Sequence, residues 1–195
     1  MWPEIYNFLL NVSAVILCCI AVKLTDDFLD QEFDIHSGIN WAQRYGAGTM
    51  VYAMLILALA AAMNPPLTLS LFLGSYIVGM FNQFTRLFPS HLTGWQESLL
   101  VFFIGAILFG WNLMLFAVLF VLSVQLLDDC LDRHLDSMCG MRNLAQKYGL
   151  TECALLALFC LMVAWLVNEQ IFSAVFSGFV IFYLTMLHFQ RRASQ

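Results

Sequence analysis

The apolar positions of this chain fall into seven long runs separated by short polar breaks. A helix needs about 20 apolar residues to cross the hydrocarbon core of a bilayer. The runs approach or exceed that length in most cases, so the pattern predicts an all-α membrane protein, a bundle of about seven transmembrane helices. The predicted helices cover about 2–23, 41–63, 67–86, 97–109, 112–136, 141–167 and 171–188.

Proline and polar residues mark the breaks between the runs. Asn64-Pro65-Pro66 ends the second run, because proline lacks a backbone N–H and clashes with the preceding turn. The stretch from Glu97 to Asp136 holds 40 residues. As one helix it would be about 60 Å long at about 1.5 Å per residue, twice the bilayer core. It must therefore fold back, and Gly110 is the predicted turn.

The composition agrees with a membrane protein and excludes several other classes. The chain of 195 residues is 62% hydrophobic and 11% charged, with a mean hydropathy of +0.81, far from a soluble globular composition. Its net charge is −5 and it has no basic patch, which argues against nucleic-acid binding. The six cysteines form no CxxC pair and are interpreted as small packing residues.

The basic residues predict the orientation of the chain. Seven spans place successive loops on alternating sides, and all eight lysines and arginines then fall on one side. Excess Lys and Arg marks the cytoplasmic face, which predicts an outside N-terminus, an inside C-terminus and a location in the cell inner membrane. No basic residue precedes the first apolar run, so no cleaved signal peptide is expected. The eight residues are Lys23, Arg44, Arg86, Arg133, Arg142, Lys147, Arg191 and Arg192.

An acidic stretch occurs twice, at the ends of the first and fifth predicted helices. The pattern DDxxDxxxD begins at Asp26 and again at Asp128, an offset of 102 residues (128 minus 26). Ala-Gln-Arg-Tyr-Gly follows the first copy at 42–46, and Ala-Gln-Lys-Tyr-Gly follows the second at 145–149. Helices one and five run in the same direction, so a single domain, 1–195, is predicted to contain a parallel repeat of about 8–63 and 112–167.

The acidic motifs have the spacing of a metal site. Aspartates at i, i+4 and i+8 lie along one face of a helix, and carboxylates that close repel one another unless a cation neutralises them. Mg²⁺ prefers carboxylate and phosphate oxygens, so the motifs predict magnesium bound together with a diphosphate. The alternative is a pair of solvated helix ends. The predicted ligands are Asp26, Asp27, Asp30, Asp34, Asp128, Asp132 and Asp136.

Four basic residues on the same side could neutralise the oxygens of a diphosphate. Arginine suits this role because its planar guanidinium makes bidentate contacts. Arg86 is the best candidate, since it follows Asn82 at the end of a predicted helix. Topological signals and lipid-headgroup contacts are the alternatives. The other candidates are Arg44, Arg142 and Lys147.

These residues resemble the motifs of the UbiA-type superfamily of intramembrane prenyltransferases, over about residues 15 to 167. Its members carry NDxxDxxxD on one helix, and the first motif here matches it, with Asp26 where the family usually has Asn. The second motif resembles the family's DxxxDxxxG, and Gly140 takes the place of its glycine. Asn82 and Arg86 stand at the Tyr and Lys of the family's YxxxK.

The resemblance implies a UbiA-like fold and Mg²⁺-dependent activation of a polyprenyl diphosphate, followed by transfer of the prenyl group to a lipophilic or aromatic acceptor. It implies catalytic roles for Asp27, Asp30, Asp132 and Asp136. It also implies that Arg86 and its neighbours bind the diphosphate, so the predicted substrate-binding residues are Arg86, Asn82, Arg44, Arg142 and Lys147.

Two departures from the family keep alternatives open. This chain is shorter than usual members and is expected to lack a counterpart of their first and last helices, and Arg44-Tyr45-Gly46 replaces an Arg-Pro segment. A missing first helix puts the acceptor pocket in doubt, so a UbiA-type terpene cyclase is the alternative enzyme. A divalent-cation transporter and a non-catalytic lipid-diphosphate-binding protein are the alternatives of another class.

We expect Asp30→Asn and Asp132→Asn each to reduce turnover of a prenyl diphosphate by orders of magnitude, because each removes a carboxylate from one acidic motif. Turnover by purified protein in the presence of Mg²⁺ is the measurement, with expression in the membrane as the control. Normal activity in either variant would mean that the metal assignment for that motif is wrong.

Overall fold

A computed structural model gives the structure of the protein and describes residues 2–29, 41–80, 84–133 and 143–193. These residues are mostly helical, and an isolated antiparallel bridge joins Leu87 to Thr93. The helices are α1 (Trp2–Leu29), α2 (Trp41–Tyr45), α3 (Gly48–Met63), α4 (Pro65–Gly79), α5 (Gly94–Phe109), α6 (Trp111–Leu131), α7 (Leu144–Tyr148), α8 (Leu150–Val167) and α9 (Glu169–Ala193).

Four of these helices are long and apolar enough to cross a membrane: α1, α6, α8 and the part of α9 from Glu169 to Phe189. Large apolar side chains on them stand exposed, for example Leu166 at 77%. Such exposure suits contact with lipid, because lipid tails are as apolar as the side chains. The chain is therefore an all-α protein with the helices of an integral membrane protein. Helices α3, α4 and α5 are apolar but shorter, so the number of seven spans stays a prediction.

The predicted breaks at proline and glycine are confirmed. Helix α3 ends at Met63, Asn64 is extended, and α4 begins at Pro65, the helix position at which the missing N–H of proline does least harm. Gly110 separates α5 from α6 with a φ of 93°, a conformation that residues with a side chain rarely adopt. The chain therefore folds back at the predicted point within 97–136.

The third predicted helix is wrong at its end, because α4 stops at Gly79 and does not reach Arg86. Backbone bonds hold Arg86 in a tight loop instead. The N–H of Gly94 donates to the Arg86 carbonyl at 3.2 Å, and the N–H of Trp95 donates to the Phe84 carbonyl at 3.2 Å. Arg86 therefore lies on a fastened loop before α5 and not on a helix.

Two further predicted helices are each broken by a glycine. The segment 41–63 contains α2 and α3 with Gly46 between them at a φ of 55°, and 141–167 contains α7 and α8 with Gly149 between them at a φ of 110°. Both glycines are in the left-handed region that only glycine adopts readily. Each copy of the repeat thus has a short helix of five residues that the apolar pattern did not predict.

The chain divides into two compact units. Unit 1 comprises Met1–Leu69 with Gln170–Gln195, and in it α1 packs against α3. Both helices bury small residues, which let helix backbones approach closely. They include Ala14, Cys18, Ala21, Ala53 and Ala60.

Unit 2 comprises Ser70–Glu169, and in it α6 packs against α8, α5 and α7. One apolar cluster has Leu126, Cys153 and Ala157 at its centre, and a second has Ile77 and Met114. The predicted repeat segment 8–63 falls in unit 1 and the segment 112–167 in unit 2. Each unit repeats the order of long helix, acidic end, short helix and return helix. The parallel direction of the repeat and its place in a single domain stay predictions.

We expect Gly178→Ala to lower the stability of the protein by about 1–3 kcal/mol, a common cost of overpacking. A Cβ at Gly178 of α9 would stand 2.9 Å from the Cβ of Val15 on α1 and 3.1 Å from the Val12 carbonyl oxygen. Thermal unfolding in detergent is the measurement. Gly79→Ala is the matched control, since nothing lies within 4 Å of a Cβ there. Equal stability of the two variants would contradict the close packing of α1 and α9.

Candidate functional site

The first acidic motif begins in the last turn of α1, where two adjacent aspartates differ in their surroundings. Asp26 is exposed, whereas Asp27 is buried with 2% of its surface accessible. The Lys23 Nζ lies 2.9 Å from the Asp27 Oδ1. The backbone N–H of Trp41 donates to the Asp27 Oδ2 at 2.9 Å. Both oxygens of this buried carboxylate therefore have partners within the protein.

The bond to Trp41 joins the end of α1 to the beginning of α2. The first N–H groups of a helix have no partner inside the helix, and a carboxylate is a strong acceptor for one of them. Burial of a charge is costly unless it is paired and hydrogen-bonded, and Lys23 together with the Trp41 N–H meets that requirement for Asp27. The carboxylate thereby fastens α2 to α1.

The second acidic motif repeats this arrangement at the end of α6. Asp128 is exposed, whereas Asp129 is buried with 9% of its surface accessible. The backbone N–H of Leu144, the first residue of α7, donates to the Asp129 Oδ2 at 2.9 Å. The Gln125 Nε2 donates to the Asp129 Oδ1 at 3.4 Å. A buried carboxylate therefore fastens the short helix to the long one in each unit.

In the second copy Asn143 adds two hydrogen bonds that connect α6 and α7. Its Nδ2 donates to the backbone carbonyl of Asp129 at 2.7 Å, and its Oδ1 accepts the N–H of Gln146 at 3.1 Å as the N-cap of α7. Neither Asp129 nor Asn143 was among the predicted site residues. A signal was present, since an asparagine precedes the residue before Ala-Gln in both copies, at Asn40 and Asn143. Asn40 lies outside the described residues.

The two short helices each carry an exposed cation beside a tyrosine. The guanidinium of Arg44 in α2 lies 5.9 Å from the ring centre of Tyr45. The Nζ of Lys147 in α7 lies 4.9 Å from the ring centre of Tyr148. A cation over an aromatic face is modestly stabilised, so these contacts favour defined positions for two of the predicted diphosphate ligands.

Arg86, also exposed, stands on the fastened loop of unit 2. Glu97 holds this loop against α4 and α5, because its carboxylate accepts the Tyr76 hydroxyl at 2.5 Å and also the Ser90 hydroxyl. The loop is thus tied at several points on either side of Arg86. A fixed backbone limits the region that the guanidinium can reach.

Asp132 ends α6 as its C-cap, and its N–H donates to the Asp128 carbonyl at 2.9 Å. The two exposed aspartates therefore lie one helical turn apart, as the spacing predicted. Across the parts of the chain that the structure describes, no three carboxylate, imidazole or thiol groups converge on one point. The remaining predicted site residues lie outside those parts: Asp30, Asp34, Asn82, Asp136 and Arg142.

The donor chemistry of the exposed aspartates fits the implied Mg²⁺. Asp26, Asp128 and Asp132 offer hard carboxylate oxygens at the ends of two long apolar helices, and magnesium takes one or two carboxylates together with water and phosphate oxygens. Asp27 fits less well, because its two oxygens already bind Lys23 and Trp41. Its predicted role as a ligand stays a prediction.

Unit 1 contains an apolar cavity of about 460 Å³. Lys23 lines it one turn before Asp27, and the stacked rings of Trp41 and Tyr45, 6.0 Å apart, line it as well. The cavity therefore adjoins the first acidic motif. Its apolar walls include Ile16, Ile20, Leu24, Ile56, Phe182 and Met186.

Comparison of the chain with protein-family models, with curated proteins and with solved structures gives no significant match. The resemblance to UbiA-type prenyltransferases therefore depends on the quoted motifs alone.

We expect Asn143→Ala to loosen α7, because the variant loses the N-cap and the donor to the Asp129 carbonyl. Loss of an N-cap costs about 0.5–2 kcal/mol. Faster hydrogen exchange of the segment 143–149, followed by mass spectrometry, is the measurement. Asn143→Ser keeps a capping oxygen and should exchange at an intermediate rate. Asn112→Ala, at an exposed asparagine of α6, is the control. If Asn112→Ala accelerates exchange of the segment as much as Asn143→Ala does, Asn143 has no specific role in holding α7.

Proposed function

We propose that this protein is a Mg²⁺-dependent intramembrane prenyltransferase that acts on a polyprenyl diphosphate through its two DDxxDxxxD motifs. The observation that carries the proposal is the apolar cavity of unit 1, which adjoins Lys23 and the first acidic motif. A substrate with a long apolar chain and a highly charged head needs these two environments side by side. The UbiA-like fold of about seven helices is part of the proposal.

The prenyl chain occupies the apolar cavity. Its volume of about 460 Å³ lies within the range of about 300–1,000 Å³ that small-molecule sites have. Along α1 the lining residues extend from Ile16 to Leu24, which is about 12 Å at about 1.5 Å per residue. The cavity is thus long enough to hold several carbon atoms of an extended chain, with the polar end beside Lys23.

The diphosphate head lies at the acidic motifs. Mg²⁺, when bound, screens the repulsion between carboxylates and diphosphate and stabilises the negative charge on the departing group. In the first motif Asp26, Asp30 and Asp34 would hold Mg²⁺, and in the second motif Asp128, Asp132 and Asp136 would do so. Basic side chains bind the diphosphate oxygens that Mg²⁺ does not bind, with Asn82 as a neutral donor. These side chains are Arg44, Lys147, Arg86 and Arg142.

Transfer begins with cleavage of the bond between C1 of the prenyl chain and the diphosphate oxygen. The electron pair leaves with the diphosphate, and the chain is left as an allylic cation. The apolar walls exclude water, which would otherwise capture this cation. A nucleophilic carbon of a lipophilic or aromatic acceptor then forms the new bond and loses a proton.

The location of the protein follows from the same proposal. The four long apolar helices support an integral membrane protein. The basic residues favour the cell inner membrane with the motifs on the cytoplasmic side, the N-terminus outside and the C-terminus inside. Membrane lipids surround the exposed apolar faces.

Product analysis tests the proposal. Purified protein is incubated with geranyl, farnesyl and geranylgeranyl diphosphate, with Mg²⁺ or EDTA and with or without membrane-extracted acceptors, and the products are analysed by mass spectrometry. A transferase releases diphosphate only with Mg²⁺ and an acceptor. Release without an acceptor, with a cyclic product, indicates the cyclase instead. Absence of turnover with every chain length, together with metal flux in liposomes, would overturn the proposal in favour of a transporter.

We expect Ile56→Trp to reduce turnover of geranylgeranyl diphosphate by about tenfold or more, while geranyl diphosphate is affected less. The larger ring fills part of the apolar cavity, and even a single methylene in an apolar pocket discriminates between substrates by about 10–200-fold. Leu55→Trp is the matched control, because Leu55 is 57% exposed and does not line the cavity. An equal effect of Ile56→Trp on both substrates would exclude the cavity as the chain site.

A further inference from the structure

We infer that Asp129, and Asp27 in the same way, is a positioning residue that sets the place of a diphosphate-binding cation. This inference rests on the proposed function, because the cations it concerns are the proposed ligands of the diphosphate. It assigns a role to Asp129 and gives Asp27 a role other than metal ligand.

The first ground is the contrast within each aspartate pair. Asp26 and Asp128 are exposed, whereas Asp27 and Asp129 are buried. Adjacent residues of an α-helix point about 100° apart, since the helix has 3.6 residues per turn. One aspartate of each pair therefore faces outward, and the other faces the packed interior of its unit.

The second ground is the partner of each buried carboxylate. The Trp41 N–H and the Leu144 N–H each donate to an Oδ2 at 2.9 Å. Trp41 begins α2 and Leu144 begins α7, so the same bond forms at the same place in both units. Two independent occurrences of one bond in a duplicated segment point to a constraint on the short helix.

The constraint reaches the cations through the short helices. Arg44 follows Trp41 by three residues, and Lys147 follows Leu144 by three residues. Residues three apart lie on neighbouring positions of one helical turn. The carboxylate that holds the first residue therefore also fixes where the cation stands relative to the end of its acidic helix.

Asp129 allows a test that separates positioning from metal binding. Two of the groups that donate to its carboxylate are neutral, the Leu144 N–H and the Gln125 amide. An asparagine can accept the Leu144 N–H through its Oδ1, and the Gln125 amide can turn to accept from its Nδ2. Asn therefore preserves the fastening, whereas it is a much weaker ligand for Mg²⁺ than Asp.

The experiment compares Asp129→Asn with Asp129→Ala in the full chain. We measure the KM for geranylgeranyl diphosphate, the Mg²⁺ concentration for half-maximal turnover and the hydrogen exchange of the segment 144–148. Asp129→Ala should raise KM by about tenfold, the effect of losing one hydrogen bond to a charged group, with faster exchange and an unchanged Mg²⁺ requirement. Asp129→Asn should keep KM within a few-fold of the wild-type value and should keep the exchange of this segment slow.

Three results would overturn the inference. An increased Mg²⁺ requirement in Asp129→Asn would make Asp129 a metal ligand, and this variant decides alone if Asp129→Ala does not accumulate in the membrane. Unchanged exchange in Asp129→Ala would show that the carboxylate does not fasten α7. Faster exchange in Asp129→Ala with an unchanged KM would show that the fastening does not place Lys147 for the diphosphate.

The exchange measurement also separates this inference from the proposed function. Wild-type protein without turnover of any prenyl diphosphate would overturn the proposed function and the link to the diphosphate. The exchange rates of the two variants would still establish whether Asp129 fastens the short helix.

Discussion

The arrangement at both acidic helix ends depends on a buried carboxylate that accepts a backbone N–H. Asp27 and Asp129 each take the first N–H of a five-residue helix. An isolated helix of that length is not stable in water, because nucleation costs more than a few hydrogen bonds return. The carboxylate supplies the missing support, and the exposed aspartate beside it remains directed outward.

The apolar runs predicted the turns that separate the long helices. They did not predict the glycine breaks that divide a run into a short helix and a long one. The turn at Gly110 followed from the length of a run, and the end of α3 followed from Asn64-Pro65-Pro66. Gly46 and Gly149 gave no such signal, because polar and apolar residues flank them as they would within an ordinary amphipathic segment. The end of α4 at Gly79 was also missed, since the loop around Arg86 is held by tertiary hydrogen bonds that hydropathy does not report.

The spacing of the acidic motif predicted a face of carboxylates at i, i+4 and i+8. It did not distinguish the roles of the two adjacent aspartates at the start of the motif. A helix of 3.6 residues per turn does not let two adjacent side chains share a face. The division into an outward Asp26 and an inward Asp27 was therefore derivable in principle. Which of the two faces inward depends on the packing of α1 against its neighbours, and a single acidic stretch carries no information on that packing.

The register of α1 connects the apolar cavity to the acidic motif. Ile16, Ile20, Lys23 and Asp27 recur at intervals of four, three and four residues, so they lie on one stripe of the helix. Three of them line the cavity, and the fourth pairs with Lys23 at 2.9 Å. A single orientation of α1 about its axis therefore turns the apolar residues into the cavity and also directs the Asp27 carboxylate to α2. A change that rotated the helix would remove both together, so this stripe couples the apolar cavity to the first acidic motif.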